Sequence, residues 1–145
     1  MAARYTKSML SETRIRVRYA ETDQMGVVYH ANYFVWFEVG RVELIRAMGF
    51  DYASMEREDG IKIAVVEATC RYKSPARYDD ELIIRTRIAQ SRGSILGFAY
   101  KLHRASDDLL LAEAVTTHIV VDRAMKRTTM PPRYAHAFLQ AHQTS

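Results

Sequence analysis

A long apolar segment between residues 31 and 48 is the feature that most constrains what this chain can fold into. Its apolar residues are Tyr33, Phe34, Val35, Trp36, Phe37, Val39, Val42, Leu44, Ile45 and Met48. Their spacing predicts an α-helix, and they cover more than one helical face, so the rest of the chain must largely enclose it. At about 1.5 Å per residue the helix would measure roughly 25 Å, the width of a small domain.

The ends of this helix also have recognisable signals. Asn32 is a candidate N-cap, because its side-chain oxygen can accept an unpaired N–H of the first turn. Gly49 is a natural residue for the position just after the helix. Gly40 in the interior costs about 1 kcal/mol relative to Ala, which predicts a close approach to another backbone. Asp51 is expected to cap a short second helix over residues 52–58.

Most of the remaining chain alternates between apolar and polar residues in the manner of β-strands. The predicted strands are residues 13–19, 61–72, 81–89, 95–104 and 109–122. The second strand changes its apolar face near Val65, which predicts a β-bulge. Short connections at residues 92–94 and 106–108 predict that the last three strands form an antiparallel meander. Residues 134–142 are predicted to form a short terminal helix.

This order of elements predicts an α+β fold in which a curved antiparallel sheet of about five strands wraps around one long helix. The chain is interpreted as a single domain, residues 1–145, with a core at 13–130 and tails at 1–12 and 131–145. The last strand has apolar residues on both faces, for example Val115 on one and Val120 on the other. Burial on both sides in a one-helix domain indicates that another subunit covers part of the sheet.

The composition excludes several classes of protein. The 145 residues are 48% hydrophobic and 26% charged, which is typical of a globular domain. The net charge of +4 comes from scattered cations with no basic run, so no nucleic-acid partner is expected. Cys70 is the only cysteine, which excludes an intrachain disulfide and a metal site built on several thiolates. Without an apolar signal core or membrane-length run, the expected location is cytoplasmic, with no membrane partner.

The segment between the first strand and the long helix is the candidate functional stretch. It contains Asp23, Gly26 and His30, the last of these just before the expected start of the helix. A helix N-terminus has unpaired N–H groups and an effective charge of about +0.5. A carboxylate that faces it would combine a base or nucleophile with an anion-stabilising site. The alternative is that Asp23 only caps a turn before Gly26.

The pattern Y-x-E-T-D-x-x-G-V-V-Y-H-x-N-Y at residues 19–33 resembles that of the hotdog-fold acyl-CoA thioesterases. It is most similar to the 4-hydroxybenzoyl-CoA thioesterase branch and its YbgC-like relatives. The resemblance continues through F-E-x-x-R-x-E at residues 37–43 and Y-x-S-P-A-R-Y-D-D at residues 72–80, and covers most of residues 13–130. It implies the hotdog fold, a sheet wrapped around a long central helix, which agrees with the predicted order of elements.

The resemblance also implies an activity, the hydrolysis of a small or aromatic acyl-CoA thioester to free acid and coenzyme A. Asp23 would be the catalytic carboxylate, either as a nucleophile or as a general base on water. The oxyanion would bind a backbone N–H at or next to His30, in a site that includes the backbone of Gly26 and Tyr29. The His30 side chain could orient the carboxylate, position water, protonate the thiolate, or pack locally.

Substrate contacts and partners are further expectations from the resemblance. Tyr33 would line the acyl pocket or belong to the core. The candidates for binding the phosphates of coenzyme A are Arg77, Arg92, Lys126 and Arg127, unless they are only solvated surface residues. No cofactor is expected beyond coenzyme A as part of the substrate, and no metal. The expected assembly is a homodimer or homotetramer with the active site at a subunit interface. The thioester carrier is coenzyme A or an acyl carrier protein.

Two other functions remain open at this point. A hotdog hydratase or dehydratase would pair His30 with Glu38 for proton transfer at carbon, and Glu38 is also the candidate if the catalytic acid comes from the central helix. A non-catalytic acyl-CoA-binding module would need no carboxylate near the carbonyl. The simpler interpretation of the helix charges is two i,i+3 ion pairs, Glu38–Arg41 and Glu43–Arg46.

Overall fold

The computed structural model, which describes residues 4–5 and 10–143, places a long helix against one face of an antiparallel sheet. The strands are β1 (Arg4–Tyr5), β2 (Ser11–Arg16), β3 (Lys62–Tyr72), β4 (Glu81–Arg92), β5 (Ile95–Arg104) and β6 (Leu110–Val121). The helices are α1 (Asn32–Ala47), α2 (Tyr52–Asp59) and α3 (Pro132–Gln143), with a 3₁₀ turn at Tyr19–Glu21. The α+β fold is therefore confirmed, and the five predicted strands correspond to β2–β6.

The sheet order is β1-β2-β4-β5-β6-β3, with every neighbouring pair antiparallel. The last three strands form the predicted meander, while β3 crosses to the far side and becomes an edge strand. The register between β3 and β6 shifts between Val65 and Glu67, so the predicted bulge is confirmed. The loop between β2 and α1 that contains Asp23 (the candidate loop) therefore meets the N-terminus of α1 and the C-terminus of β3 at one end of the sheet.

The strand predicted at residues 13–19 corresponds to β2 and begins earlier than predicted. It starts at Ser11, and Ser11 and Glu12 pair with Tyr5 and Arg4 of β1, within the stretch interpreted as a tail. Ser11 and Thr13 are fully buried. An alternation carried by small polar residues is invisible to a search for apolar periodicity. The rest of that stretch, residues 1–3 and 6–9, lies outside the described residues.

Helix α1 buries one face in the core and leaves another exposed. Its buried residues are Tyr33, Trp36, Phe37, Gly40, Leu44 and Ile45. A Cβ at Gly40 would lie 2.5 Å from Thr86 Oγ1 and 2.7 Å from Ile84 Cγ2, so Gly40 does permit a close approach. The neighbours are side chains of β4, however, and not the backbone predicted. Val35 is 50% exposed, so one chain does not enclose the helix to the extent predicted.

The helix ends agree with the sequence at two positions and differ at one. Gly49, with φ +93°, follows the C-cap Met48 as predicted. The side chain of Asp51 accepts a hydrogen bond from the Ala53 amide, which confirms it as the cap of α2. The prediction that Asn32 is an N-cap is wrong, because Ala31 has that position without a side-chain bond. The Asn32 side chain instead lies inside the first turn and donates to a loop carbonyl.

A buried carboxylate attaches the candidate loop to α1. Glu21 is 5% exposed, and its side chain accepts hydrogen bonds from Trp36 Nε1 at 2.8 Å and the Arg18 amide at 2.7 Å. Its carbonyl oxygen accepts from the Tyr29 amide and from Asn32 Nδ2, both at 2.9 Å. Burial alone would raise the pKa of Glu21, but the hydrogen bonds from Arg18 and Trp36 outweigh it and lower the pKa. The ionised form is therefore the one that holds the loop.

We predict that Glu21→Ala lowers the free energy of unfolding by about 1–3 kcal/mol, because it leaves the buried Trp36 N–H without an acceptor. Glu21→Gln keeps the shape and removes the charge. Since the folded pKa is depressed, the charge contributes stability above the unfolded pKa and loses it as pH falls through the folded value. The difference in the free energy of unfolding between wild type and Glu21→Gln should therefore narrow from pH 7 to pH 4, as measured by urea titrations at fixed protein concentration. A difference independent of pH would contradict this.

Candidate active site

The loop that contains Asp23 folds back on itself before α1 begins. Thr22 and Val28 form an isolated antiparallel bridge. The Asp23 amide donates to the Val27 carbonyl at 2.9 Å, and the Gly26 amide donates to the Asp23 carbonyl at 3.0 Å. Gly26 has φ +77°, a conformation that side chains disfavour, so the tight turn explains its presence. The turn places Asp23 alongside the segment that leads into the helix.

The Asp23 carboxylate is partly exposed and partly used by the turn. Its Oδ1 accepts a hydrogen bond from the Met25 amide at 2.9 Å, so the turn-capping interpretation describes one of its two oxygens. Within the described part of the chain, Oδ2 has no hydrogen-bond partner. One oxygen therefore fixes the side chain, and the other is available to a substrate or a water molecule.

The candidate oxyanion donors are backbone amides in the loop and at the start of α1. The Tyr29 amide donates to Glu21 and the Gly26 amide donates to Asp23, so both are occupied in this structure. No acceptor among residues 4–5 and 10–143 pairs with the amides of His30 or Ala31. These are the amides just ahead of the first helical turn, where the positive end of the helix dipole lies. Ala31 was not among the residues predicted from the sequence, because a backbone donor has no side-chain signal.

The His30 side chain is exposed beside two tyrosines. Its ring centroid lies 4.6 Å from that of Tyr29 and 6.1 Å from that of Tyr72. The Tyr72 hydroxyl donates to the His30 carbonyl at 3.0 Å. Sequence reasoning missed Tyr72 as a site residue. The signal was its place at the head of the Y-x-S-P-A-R pattern, but a contact across 42 residues has no local signature.

Aromatic and thiol groups form the wall next to these amides. Tyr33 is 3% exposed and its hydroxyl accepts from the Ala76 amide at 3.2 Å, so it packs as part of the core. Tyr72 packs edge-on against Tyr33, with 4.9 Å between the ring centroids. Burial raises the pKa of the half-buried Cys70 thiol, and burial together with Cys70 raises the pKa of Tyr72 to about 12. Both groups are therefore protonated at neutral pH.

The four candidate cations lie at opposite ends of the molecule. Arg77 is near the candidate loop, since its neighbour Ala76 accepts a hydrogen bond from the Val28 amide at 2.8 Å. Arg92 and Arg127 lie at the other end, where Arg127 bonds Ser94 in the β4–β5 turn. Lys126 lies in the turn after β6 at the same end, where its carbonyl accepts a hydrogen bond from the Asp122 amide at 2.8 Å. A strand as long as β6 spans roughly 40 Å, so one chain does not bring these three cations to Asp23.

The central helix offers no second acid near His30. Glu38 is exposed, and within the described residues it has no hydrogen bond or ion pair. The predicted Glu38–Arg41 pair is therefore wrong, because Arg41 instead donates to the buried Tyr100 hydroxyl at 3.0 Å. The predicted pair between Glu43 and Arg46 is confirmed.

Two further features, a metal-ion cluster and a membrane-spanning helix, are absent from residues 4–5 and 10–143. No three His, Cys, Asp or Glu side chains there lie close enough together to hold a metal ion. None of the helices in those residues has both the length and the apolar character needed to span a bilayer.

Comparison with known proteins places the chain in a family. The model of the thioesterase-like superfamily matches residues 17–138. YneP of Bacillus subtilis is 40% identical over 92% of this chain and 93% of its own length. The acyl-CoA thioester hydrolase YbgC of Escherichia coli is 35% identical over 87% of this chain and 93% of its own length.

A solved structure supports the same assignment. The DHNA-CoA thioesterase of Staphylococcus aureus superposes with a TM-score of 0.88 at 30% identity, over 92% of this chain and 91% of the other. The predicted resemblance to the YbgC-like thioesterases and the predicted hotdog fold are both confirmed. The protein with this sequence belongs to the thioesterase-like superfamily.

Proposed function

We propose that this protein is an acyl-CoA thioesterase that hydrolyses a small or aromatic acyl-CoA thioester to the free acid and coenzyme A. The observation that carries the proposal is the Asp23 carboxylate on a loop that leads into the start of α1. Within the described residues, one Asp23 oxygen and the amides of His30 and Ala31 have no hydrogen-bond partner. Relatives named as acyl-CoA thioester hydrolases support it. His30 and Glu38 form no hydrogen bond that would favour the hydratase alternative. A binding module would not need Asp23.

Thioester hydrolysis requires two groups that this site can supply. The leaving thiol has an ordinary pKa of about 8.5, so it can depart as a thiolate without a strong general acid. The reaction still needs a group that attacks the carbonyl carbon or activates water. It also needs donors for the oxygen that becomes negative in the tetrahedral intermediate. Asp23 fits the first requirement, and the amides of His30 and Ala31 fit the second.

Asp23 can act in either of two ways. As a nucleophile, Oδ2 would add to the carbonyl carbon and expel the thiolate, leaving a mixed anhydride for water to hydrolyse. As a general base, it would remove a proton from an attacking water molecule. In both schemes the carbonyl oxygen lies at the start of α1. The exposed His30 ring belongs to the residue that supplies one of these amides, which suits it to position water or protonate the thiolate, and the scheme uses no cofactor or metal.

We further propose that the protein is a homodimer with the active site between subunits. Strand β3 is an 11-residue edge strand on which Val65 and Val66 are 53% and 55% exposed. Such an edge is usually paired or covered. Antiparallel pairing of β3 with its copy would reverse one sheet relative to the other. The distal turns with Arg92, Lys126 and Arg127 would then lie at the same end as Asp23 of the partner, where coenzyme A phosphates need cations.

The sheet face opposite α1 supports a larger assembly. It has a groove of about 950 Å³ whose floor includes Ala99 and Val115, the latter 43% exposed. A second dimer packed on this face would complete a homotetramer. We propose coenzyme A and not an acyl carrier protein as the thioester carrier, following the name of YbgC, an acyl-CoA thioester hydrolase that is 35% identical to this chain. A reducing cytoplasmic setting suits the single unpaired thiol of Cys70.

The direct test is hydrolysis of a panel of acyl-CoA thioesters by the wild-type protein, followed by trapping of the released thiol. We expect turnover that depends on the acyl group and is fastest for small or aromatic acyl chains. The panel should include enoyl-CoA, monitored for hydration of its double bond. Hydration without thiol release would favour the hydratase alternative, and binding without either reaction would favour the binding module.

A substitution identifies the catalytic acid. Asp23→Asn should lower kcat by about 100- to 10,000-fold, because it removes the nucleophile or base while keeping the hydrogen bond to the turn. Circular dichroism and the oligomer mass should stay unchanged. Glu38→Gln is the matched control for an acid from the central helix and should keep its activity. The assignment fails if Asp23→Asn is fully active, or if Glu38→Gln is the inactive variant.

The proposed interface can be tested by charge insertion. Val66→Asp places a carboxylate on the exposed edge of β3, so we expect a lower mass in light-scattering chromatography together with reduced hydrolysis. Leu139→Asp, at a 44% exposed position on α3, is the control and should change neither. A wild type that is monomeric and fully active would contradict an active site between subunits.

A further inference from the structure

The Tyr72 side chain connects the edge strand β3 to the start of α1. Tyr72 is the last residue of β3, and its hydroxyl donates to the His30 carbonyl at 3.0 Å. The same carbonyl accepts the Tyr33 amide at 3.3 Å. The Tyr72 ring lies edge-on to the rings of both Tyr33 and His30. These contacts fix the ring on one side while 44% of the residue stays exposed.

The His30 carbonyl, which Tyr72 contacts, belongs to the same peptide group as the Ala31 N–H. The His30 C=O and the Ala31 N–H are opposite ends of one planar amide, so a bond to the oxygen also sets the direction of the N–H. Hydrogen bonding at the oxygen polarises the amide and strengthens the N–H as a donor. Within the described part of the chain, the Ala31 amide has no acceptor. The Ala31 N–H is therefore available to an acceptor outside the helix.

We propose that Tyr72 is a positioning residue that holds the His30–Ala31 peptide, so that the Ala31 N–H acts as a second oxyanion donor beside the His30 N–H. This inference rests on the proposed thioesterase function. The thioester carbon is attacked either by Asp23 or by a water molecule that gives up a proton to Asp23. The carbonyl π-electron pair moves onto the oxygen, to which both amides donate hydrogen bonds. When the carbonyl re-forms, the C–S bond breaks and its electron pair leaves with the sulfur as thiolate.

The protonation state of Tyr72 agrees with this role. A phenol must keep its proton to donate to a carbonyl, which can only accept. Burial, and next the proximity of Cys70, raise the pKa of Tyr72 to about 12. The hydroxyl therefore remains a donor throughout the range in which a thioesterase would be assayed. Its bond to the peptide should not itself introduce a pH dependence between pH 6 and pH 9.

Tyr72→Phe tests the inference because it removes only the hydroxyl. We expect kcat to fall about 5- to 20-fold, less than for loss of a whole donor, with KM changed by less than about two-fold. The thermal midpoint should remain within about 2 °C of wild type. Tyr78→Phe is the matched control, since Tyr78 is 57% exposed, its ring packs against Tyr19, and its hydroxyl has no hydrogen bond within the described residues. An unchanged kcat in Tyr72→Phe would overturn the proposal.

A second measurement separates this inference from the proposed function. The ¹H–¹⁵N signal of the Ala31 amide should shift in Tyr72→Phe and not in Tyr78→Phe, because only the first loses the bond to the His30 carbonyl. A wild type without hydrolysis would refute the proposed function, and the catalytic part of this inference with it, whatever the amide signal does. An active wild type with an unmoved Ala31 signal would refute the positioning role alone.

Discussion

The hydrogen bond between the buried Glu21 carboxylate and the Trp36 indole is the interaction on which the site depends. It joins the loop after β2 to the second turn of α1, and the Glu21 carbonyl fastens the same loop at Tyr29 and Asn32. One residue thereby holds both the segment before Asp23 and the segment after it. Burying a carboxylate is costly, and here the donors that surround it offset that cost. The position of Asp23, the proposed catalytic acid, follows from this arrangement.

Much of the fold is encoded locally and could be predicted. The buried stripe of α1 is written in residues spaced three and four apart, and the strands in alternate residues. Gly49 and Asp51 signal a helix end and a helix start through their own backbone and side-chain chemistry. Gly40 indicated a close approach, and the structure shows β4 side chains within reach of a missing Cβ. The Asp23 and His30 positions came from a motif whose residues are neighbours in sequence.

The errors and omissions concern contacts between distant parts of the chain. Asn32 has the chemistry of an N-cap, but a carbonyl 11 residues earlier takes its amide. Arg41 has an acid one turn before it and bonds Tyr100 instead. Tyr72 reaches His30 only because β3 crosses to the edge of the sheet beside α1. The local sequence does not reveal these hydrogen-bond partners, because each depends on which strand lies under which helix face.

In the proposed site, a thioester carbonyl lies between the Asp23 carboxylate and the first amides of α1. The most direct test is a crystal structure of Asp23→Asn, which should bind substrate without turning it over, with an intact acyl-CoA. We expect the thioester oxygen to lie within about 3 Å of the amide nitrogens of His30 and Ala31, with the carbonyl carbon facing residue 23. A thioester bound away from the start of α1, with no contact to either amide, would contradict it.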